Sequence, residues 1–420
     1  GEGHQIFFLI EAVTGQFVNS KSKQYLFSSE SERQMLSICQ RTLQGLYRPS
    51  QRVAVVCSHL RMQSTAAEPE VILETVSSKG VITLNKPQTL NALNLPMIRQ
   101  IYPQLRAWED DPKMSMVIIK GAGDKAFCAG GDIRSITDSQ KNGGTVGHEF
   151  FKEEYILNNA IGTLSIPWIA LLDGITMGGG VGLSVHGMYR IATEKTLFAM
   201  PETAVGLFAD VGGGYFLPRL GGKLGVYLAM TGFRLKGQDV MKAGVATHYV
   251  DSAKLPEMEK ELLSLHSPKP QDVADVIMKF QEQSALDEQK EFILQPHMDQ
   301  INKLFAGETV EDIFTSLEND GSDWAKKQLS TLQKMSPTSM KVTLREIQEG
   351  ATKSLQEDLV MEYRLSQRFI EDHDFFEGVR AVLVDKDNKP KWNPSTLEGV
   401  TDEKVDWYFS KLPPERELTL

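Results

Sequence analysis

Apolar residues along the chain fall into short runs broken by glycine-rich turns, with longer stretches of helical spacing between them. Val71-Ile72-Leu73-Glu74-Thr75-Val76 and Gly80-Val81-Ile82-Thr83-Leu84 predict two strands joined by a hairpin at Ser77-Ser78-Lys79. From Leu95 to Trp108 the apolar positions Met97, Ile98, Ile101, Leu105 and Trp108 recur at helical spacing, and Asp110-Asp111-Pro112 stops that helix. Met116-Val117-Ile118-Ile119 and Trp168-Ile169-Ala170-Leu171-Leu172 are unbroken apolar runs that predict buried strands. Past about residue 255 the pattern becomes helical and charged, with segments at 271–285, 310–335, 338–349 and 354–371. Ser336 before Pro337 reads as a helix cap followed by a residue suited to the first turn. The alternation predicts an α/β chain with a mostly helical C-terminal region, and Ser267-Pro268-Lys269-Pro270 marks a boundary between 68–266 and 267–420.

The 420 residues are 41% apolar and 24% charged, enough for one large core with an appendage. A net charge of −10 disfavours a general nucleic-acid binder, and no run of apolar residues is long enough to span a membrane. Cys39, Cys57 and Cys128 show no paired spacing, so neither a disulfide framework nor a metal site is expected. The first residue is Gly1 rather than Met. Residues 41–67 carry Arg41, Arg48, Arg52 and Arg61, several hydroxyl residues and no acid, the composition of a mitochondrial transit segment. Glu2, Glu11, Glu30 and Glu32 do not fit a presequence, so residues 1–67 are set aside from the fold.

Three segments carry candidate chemistry. Ala126-Phe127-Cys128-Ala129-Gly130-Gly131-Asp132-Ile133 and Gly174-Ile175-Thr176-Met177-Gly178-Gly179-Gly180-Val181-Gly182 each follow a predicted strand and turn on small residues. Glycine lets a ligand approach backbone N–H groups closely, so two such turns can aim two donors at one oxygen; tight turns or helix packing are the competing reading. Phe198 to Gly214 holds Glu202 and Asp210 in an otherwise apolar and glycine-rich stretch with no Lys or Arg between them. A carboxylate among apolar groups has its pKa raised towards the range useful for acid–base work, the alternative being a helix-end acid and a turn Asp.

Together these segments resemble the crotonase (enoyl-CoA hydratase/isomerase) superfamily over roughly residues 70 to 395. Asn91-Ala92-Leu93-Asn94 and the string from Phe376 to Asp387, followed by Pro390 and Trp392, share in the resemblance. The latter string and the Glu202 to Gly214 block point to a thioester-hydrolase branch. The resemblance implies a spiral of ββα units and an acyl-CoA substrate. It further implies an oxyanion hole from the N–H groups of Gly131 and Gly179, and a CoA cradle of Ala92, Leu93, Ala129, Gly131, Asp132 and Ile133. Hydratases of the family use two glutamates; Glu202 matches the later one, while Gly182 stands where the earlier would be. The resemblance therefore implies hydrolysis of a short branched hydroxyacyl thioester, 3-hydroxyisobutyryl-CoA, with 3-hydroxypropionyl-CoA as a second substrate. Glu202 is expected as nucleophile or general base, Asp210 to orient the substrate hydroxyl or help activate water, and Glu154 at the acyl end. No metal and no redox cofactor is expected, CoA being part of the substrate. A mitochondrial matrix location in valine breakdown is implied, and a homo-oligomer is compatible with it. One departure is Ala209, where the hydrolase branch has Pro, which would stiffen the loop before Asp210.

The competing functions are a hydratase or isomerase of the same fold, against which Gly182 speaks, and a catalytically silent CoA- or RNA-binding scaffold. Other residues favour bland roles. Cys128 reads as small apolar filler, and His186 and His248 read as packing histidines. Glu154 competes with a solvated helix acid. Lys341, Arg345 and Arg380 read as solvated helix cations ahead of CoA-phosphate contacts, and Asp385-Lys386-Asp387 reads as a charged turn.

Overall fold

Period-two alternation assigns each strand residue to one of two apolar layers, and the chain builds its larger sheet accordingly. The computed structural model describes residues 68–287 and 289–420; the expected transit segment lies outside them. Strands β1 (Val71–Val76), β2 (Lys79–Leu84), β3 (Met116–Gly121), β5 (Trp168–Leu172), β7 (Tyr189–Ala192) and β10 (His248–Tyr249) form one sheet in the order β1-β2-β3-β5-β7-β10. β1 and β2 are an antiparallel hairpin with Val71 opposite Leu84, and the remaining pairs are parallel. Val117, Ile119, Ala170 and Leu172 face the main core. Met116, Ile118, Ile169 and Leu171 face a second layer closed by the helices Leu255–Ser264 and Pro270–Glu282. A parallel sheet covered on both faces needs such unbroken apolar strands, which is why β3 and β5 lack the polar alternation of β1.

A smaller sheet, in the order β4-β6-β8-β9, joins β4 (Ala126–Cys128), β6 (Ile175–Met177), β8 (Leu197–Ala199) and β9 (Leu235–Lys236). Its first three strands are parallel, so their C-terminal ends lie on one side. Helix α1 (Leu95–Asp110) crosses from β2 to β3, while α2 (Ile133–Lys141) and α3 (Val146–Gly162) connect β4 to β5. In the C-terminal region the predicted helix over 310–335 is two, Val310–Asp320 and Asp323–Leu332. Gly321 ends the first at φ +63° and Ser322 caps the second, a break that the apolar spacing alone does not reveal. Ser336 caps Pro337–Gly350 as expected, its Oγ accepting from the Ser339 N–H at 3.0 Å. Pro69–Leu420 form one compact unit, and the chain passes Ser267 to Pro270 without leaving it.

The segment after β2 is pinned by Asn91, which is buried and left-handed at φ +55°. Its side chain accepts from the Lys86 N–H and donates to the carbonyls of Ala122 and Ala126, each at 2.9 Å. Leu93 is thereby laid along the turn after β4, its N–H donating to Gly130 O at 2.8 Å and its carbonyl accepting from the Asp132 N–H at 2.7 Å. Asn91→Ala strands these backbone groups in the core and places a poorer residue in the left-handed region. It is expected to lower stability by about 2–4 kcal/mol. An unchanged urea midpoint would show that the turn holds without it.

Candidate active site

The three parallel strands of the small sheet each end in a segment that reaches the same place. β4 runs into Ala129-Gly130-Gly131, with Gly130 at φ +120°; β6 runs into Gly178, at φ +46°, and the short helix α4 (Gly179–Gly182). Because β4 and β6 are neighbours, their turns emerge side by side. A Cβ on Gly179 would lie 3.3 Å from the Gly131 nitrogen and 2.7 Å from Glu154 Oε1, so the approach is open only to glycine. Neither the Gly131 nor the Gly179 N–H donates to a backbone acceptor among the described residues. Two fixed, unspent donors side by side suit an oxygen that gains negative charge.

β8 supplies the third component. Glu202 opens a 3₁₀ turn (Glu202–Val205) just past that strand, Asp210 follows on the next loop, and Glu154 faces both from α3. All three are buried, Glu154 being 2%, Asp210 4% and Glu202 5% exposed, so Glu154 is no solvated helix acid. Among the described residues no Lys or Arg pairs with any of them. Burial pushes the Glu202 carboxyl well above the ordinary range, and the nearby Asp210 charge pushes it further. Burial, then Asp210 and Glu202, do the same to Glu154. Asp210 is raised by burial to about 7, the hydrogen bond from Tyr155 opposing the shift. The group therefore holds protons at pH values where free carboxyls have lost them.

Several supporting residues were not foreseen from sequence. Tyr155, next to Glu154 on α3, donates its hydroxyl to Asp210 Oδ2 at 2.9 Å. The loop after Asp210 is unusual: Val211, β-branched, sits at φ +57° and Gly212 at φ +83°. Three contacts hold it there. His186, kept neutral by burial with its pKa near 4, donates from Nε2 to Val211 O at 2.7 Å. Glu362, from the helix Leu355–Phe369, accepts the N–H groups of Gly212 at 2.8 Å and Gly214 at 3.1 Å. His186 is thus the packing histidine expected. Glu362 is 150 residues from Gly212, and no local pattern announces it.

The remaining candidates are accounted for. Of the expected CoA cradle, Leu93 bridges Gly131, Ala129 donates its N–H to Leu90 O, and Ala92 and Ile133 are half-buried beside them. The Asp132 carboxylate caps α2 through the Ser135 N–H and hydroxyl. Cys128 is wholly buried, and burial lifts its thiol to about 12, which removes it as a nucleophile. His248 pairs with Thr247. Lys341 pairs with Glu311, and Arg345 with Glu349 and Asp406. Arg380 gathers Glu377, Asp385 and Asp387, so Asp385-Lys386-Asp387 is a turn built around an arginine. Among the described residues no cluster of three or more His, Cys, Asp or Glu is arranged to hold a metal ion, and no helix is long and apolar enough to cross a membrane.

A carboxyl raised from 3.8 to about 7 leaves the folded protein holding a proton that the unfolded chain has already lost, so its contribution to stability declines as pH rises through that window. Asp210→Asn removes this decline while keeping an acceptor for Tyr155. Its melting temperature relative to the parent is expected to climb between pH 4 and pH 8. A difference that stays constant over that range would mean that Asp210 ionises normally.

Comparison with known proteins agrees with this geometry. The family model described as enoyl-CoA hydratase/isomerase matches residues 79–409. A Xenopus laevis protein named mitochondrial 3-hydroxyisobutyryl-CoA hydrolase is 60% identical over 370 residues, covering 88% of this chain and 96% of the relative. Its Homo sapiens counterpart of the same name is 57% identical over 371 residues, with the same coverage. Among solved structures, one described as an enoyl-CoA hydratase from Rhodobacter sphaeroides superposes with a TM-score of 0.76 at 35% identity, covering 84% of this chain and all of that one. The strand-end glycine turns, the buried acids and these matches lead to one placement: the chain belongs to the enoyl-CoA hydratase/isomerase family.

Proposed function

We propose that this site hydrolyses 3-hydroxyisobutyryl-CoA to 3-hydroxyisobutyrate and free CoA, and accepts 3-hydroxypropionyl-CoA by the same chemistry. The observation that carries the reading is Gly182. Hydration of a double bond in this family's manner needs a second carboxylate at that position. A Cβ there would lie 2.7 Å from Asn158 Nδ2 and 2.8 Å from Val211 Cβ, so no carboxylate side chain can be built from Gly182. Some structural neighbours at 35% identity carry hydratase or dehydratase names, whereas the relatives at 57–60% identity are named hydrolases. Steric closure at Gly182 supports the latter.

In this reading the thioester oxygen lies between the Gly131 and Gly179 N–H groups, which take up the charge as the carbonyl carbon becomes tetrahedral. Removing one such donor typically costs about 3–4 kcal/mol of barrier. Glu202 either attacks the carbonyl carbon, expelling the CoA thiolate and leaving a mixed anhydride for water to open, or takes the proton of a water that attacks directly. Asp210, raised to about 7 by burial and hydrogen-bonded by Tyr155, orients the substrate hydroxyl or helps to activate the water. Adenosine and pantetheine rest along Ala92, Leu93, Ala129, Asp132 and Ile133, and Glu154 faces the acyl end. Donors and carboxyls suffice for every step, so no metal or redox cofactor is invoked. The mitochondrial names of the relatives and the transit-like composition of residues 41–67 support a mitochondrial location, and the matrix is where valine breakdown would use the activity.

Free-thiol release is measured from 3-hydroxyisobutyryl-CoA, 3-hydroxypropionyl-CoA and crotonyl-CoA, with the crotonyl absorbance followed in parallel. Thiol is expected from the two hydroxyacyl substrates alone; loss of the double bond without thiol would identify a hydratase instead. Glu202→Gln is expected to reduce turnover at least ~10³-fold while CoA binding persists. Parent-like turnover in that variant would remove Glu202 from the mechanism.

A further inference from the structure

Asn158 is the other residue that crowds Gly182. It is wholly buried, and among the described residues neither its Oδ1 nor its Nδ2 has a hydrogen-bond partner. Glu154 Oε1 and Glu202 Oε2 share that condition. A buried amide without partners is expensive, which makes each such group in a native protein call for a ligand or water that satisfies it. Asn158 lies one helical turn beyond Glu154 on α3, and therefore on the same face. The register against α4 follows the same step: Glu154 stands over Gly179, and Asn158 over Gly182, three residues on. Asn158 thus continues the face that carries Glu154 by one helical turn, alongside α4 and next to the paired N–H groups.

The chemistry of the surroundings specifies what it can bind. Glu154, Glu202 and Asp210 offer acceptors when ionised, and the Tyr155 hydroxyl already donates to Asp210. A substrate hydroxyl both donates and accepts; an ionised carboxylate serves only the first of these, whereas an amide N–H serves the second whatever the protonation state of the acids. The unspent N–H donor on this face is Asn158 Nδ2. We propose that Asn158 is a specificity residue that donates from Nδ2 to the 3-hydroxyl of the acyl group and so selects hydroxyacyl over plain acyl thioesters. The inference rests on the hydrolase reading above. A site built to hydrogen-bond a hydroxyl rejects the analogue lacking it, because its own polar group is then left unpaired.

The test compares kcat/KM for 3-hydroxyisobutyryl-CoA and isobutyryl-CoA, which differ only in that hydroxyl, in the parent, in Asn158→Leu and in Asn158→Asp. Folding of each variant is checked by circular dichroism and melting. Leu keeps the volume without polar atoms, and Asp keeps the shape but exchanges the amide donor for a carboxyl that donates only while protonated. Leu is expected to lower kcat/KM for the hydroxylated substrate ~10–100-fold, and Asp to do so once pH is high enough to ionise it, each leaving isobutyryl-CoA within a few-fold of the parent, so that the preference collapses. If isobutyryl-CoA turns over too slowly, inhibition constants of the two corresponding non-hydrolysable CoA thioethers supply the same ratio. An equal loss on both substrates would make Asn158 structural, and an unchanged preference in Asn158→Leu, or in Asn158→Asp at high pH, would overturn the proposal. Should the parent release no thiol from 3-hydroxyisobutyryl-CoA, the hydrolase reading itself fails. The thioether ratio then still reports whether Asn158 recognises the hydroxyl.

Discussion

Desolvation of carboxyls without counter-ions is the constraint around which the site is organised. Glu154, Glu202 and Asp210 are joined behind the loop by Glu346, Asp358 and Glu362, all of them buried and all with pKa values raised by that burial, which Arg219 and Lys353 offset in part at Asp358 alone. Ionising every member of such a group would be prohibitive, so the group retains protons at neutral pH and its members titrate together. An adjacent Lys or Arg would relieve the energy and would also lower those pKa values. The fold instead surrounds them with neutral donors: the Tyr155 hydroxyl, and the backbone N–H groups of Gly212 and Gly214 on Glu362. The burial of these acids is thus met by neutral hydrogen-bond donors rather than by opposite charge.

That choice explains why the helical C-terminal region matters to a site whose named residues all precede residue 211. Val211 in the left-handed region is a strained position for a β-branched residue and persists only where its surroundings over-determine it. Here α4's continuation supplies His186, and the helix Leu355–Phe369 supplies Glu362. Glycine at 212 and 214 is equally dictated. Gly212 has φ +83°, and a Cβ on Gly214 would be pressed against Asp358 and Glu346. The strain of the loop and the aim of Asp210 are two consequences of one clamp.

Much of this was legible in the sequence where the signal is local. β1, β2, β3 and β5, the helix after Leu95, the Ser336 cap, the two glycine turns and the unpaired Glu202 and Asp210 all follow from residue type and spacing over a few positions. The illegible parts are those created by the fold. Glu154 competes with a solvated acid until α3 is seen to lie across α4. Tyr155 and Asn158 look like ordinary helix residues, because their partner or lack of one is set by chain segments more than 20 residues away. Glu362, in a charged amphipathic helix, carries no local mark. The break at Gly321 was missed because the apolar spacing continues through it.

Ala209 shows how a local rule can be overridden by such distant contacts. Proline at that position would narrow the conformations open to the chain just before Asp210, and its loss suggests a looser loop. The structure secures the same turn otherwise. Ala209 is fully buried, and the Asp210 N–H closes a three-residue turn onto Phe208 O at 2.9 Å. Phe208 is itself locked against Phe369, their rings stacked at 5.4 Å. Phe369 ends the same helix that carries Glu362, so one element grips the loop on both sides of Asp210. The entropy that proline would remove from the unfolded chain is a stability term. The aim of the Asp210 carboxyl is a packing term, and here packing against the Leu355–Phe369 helix supplies it.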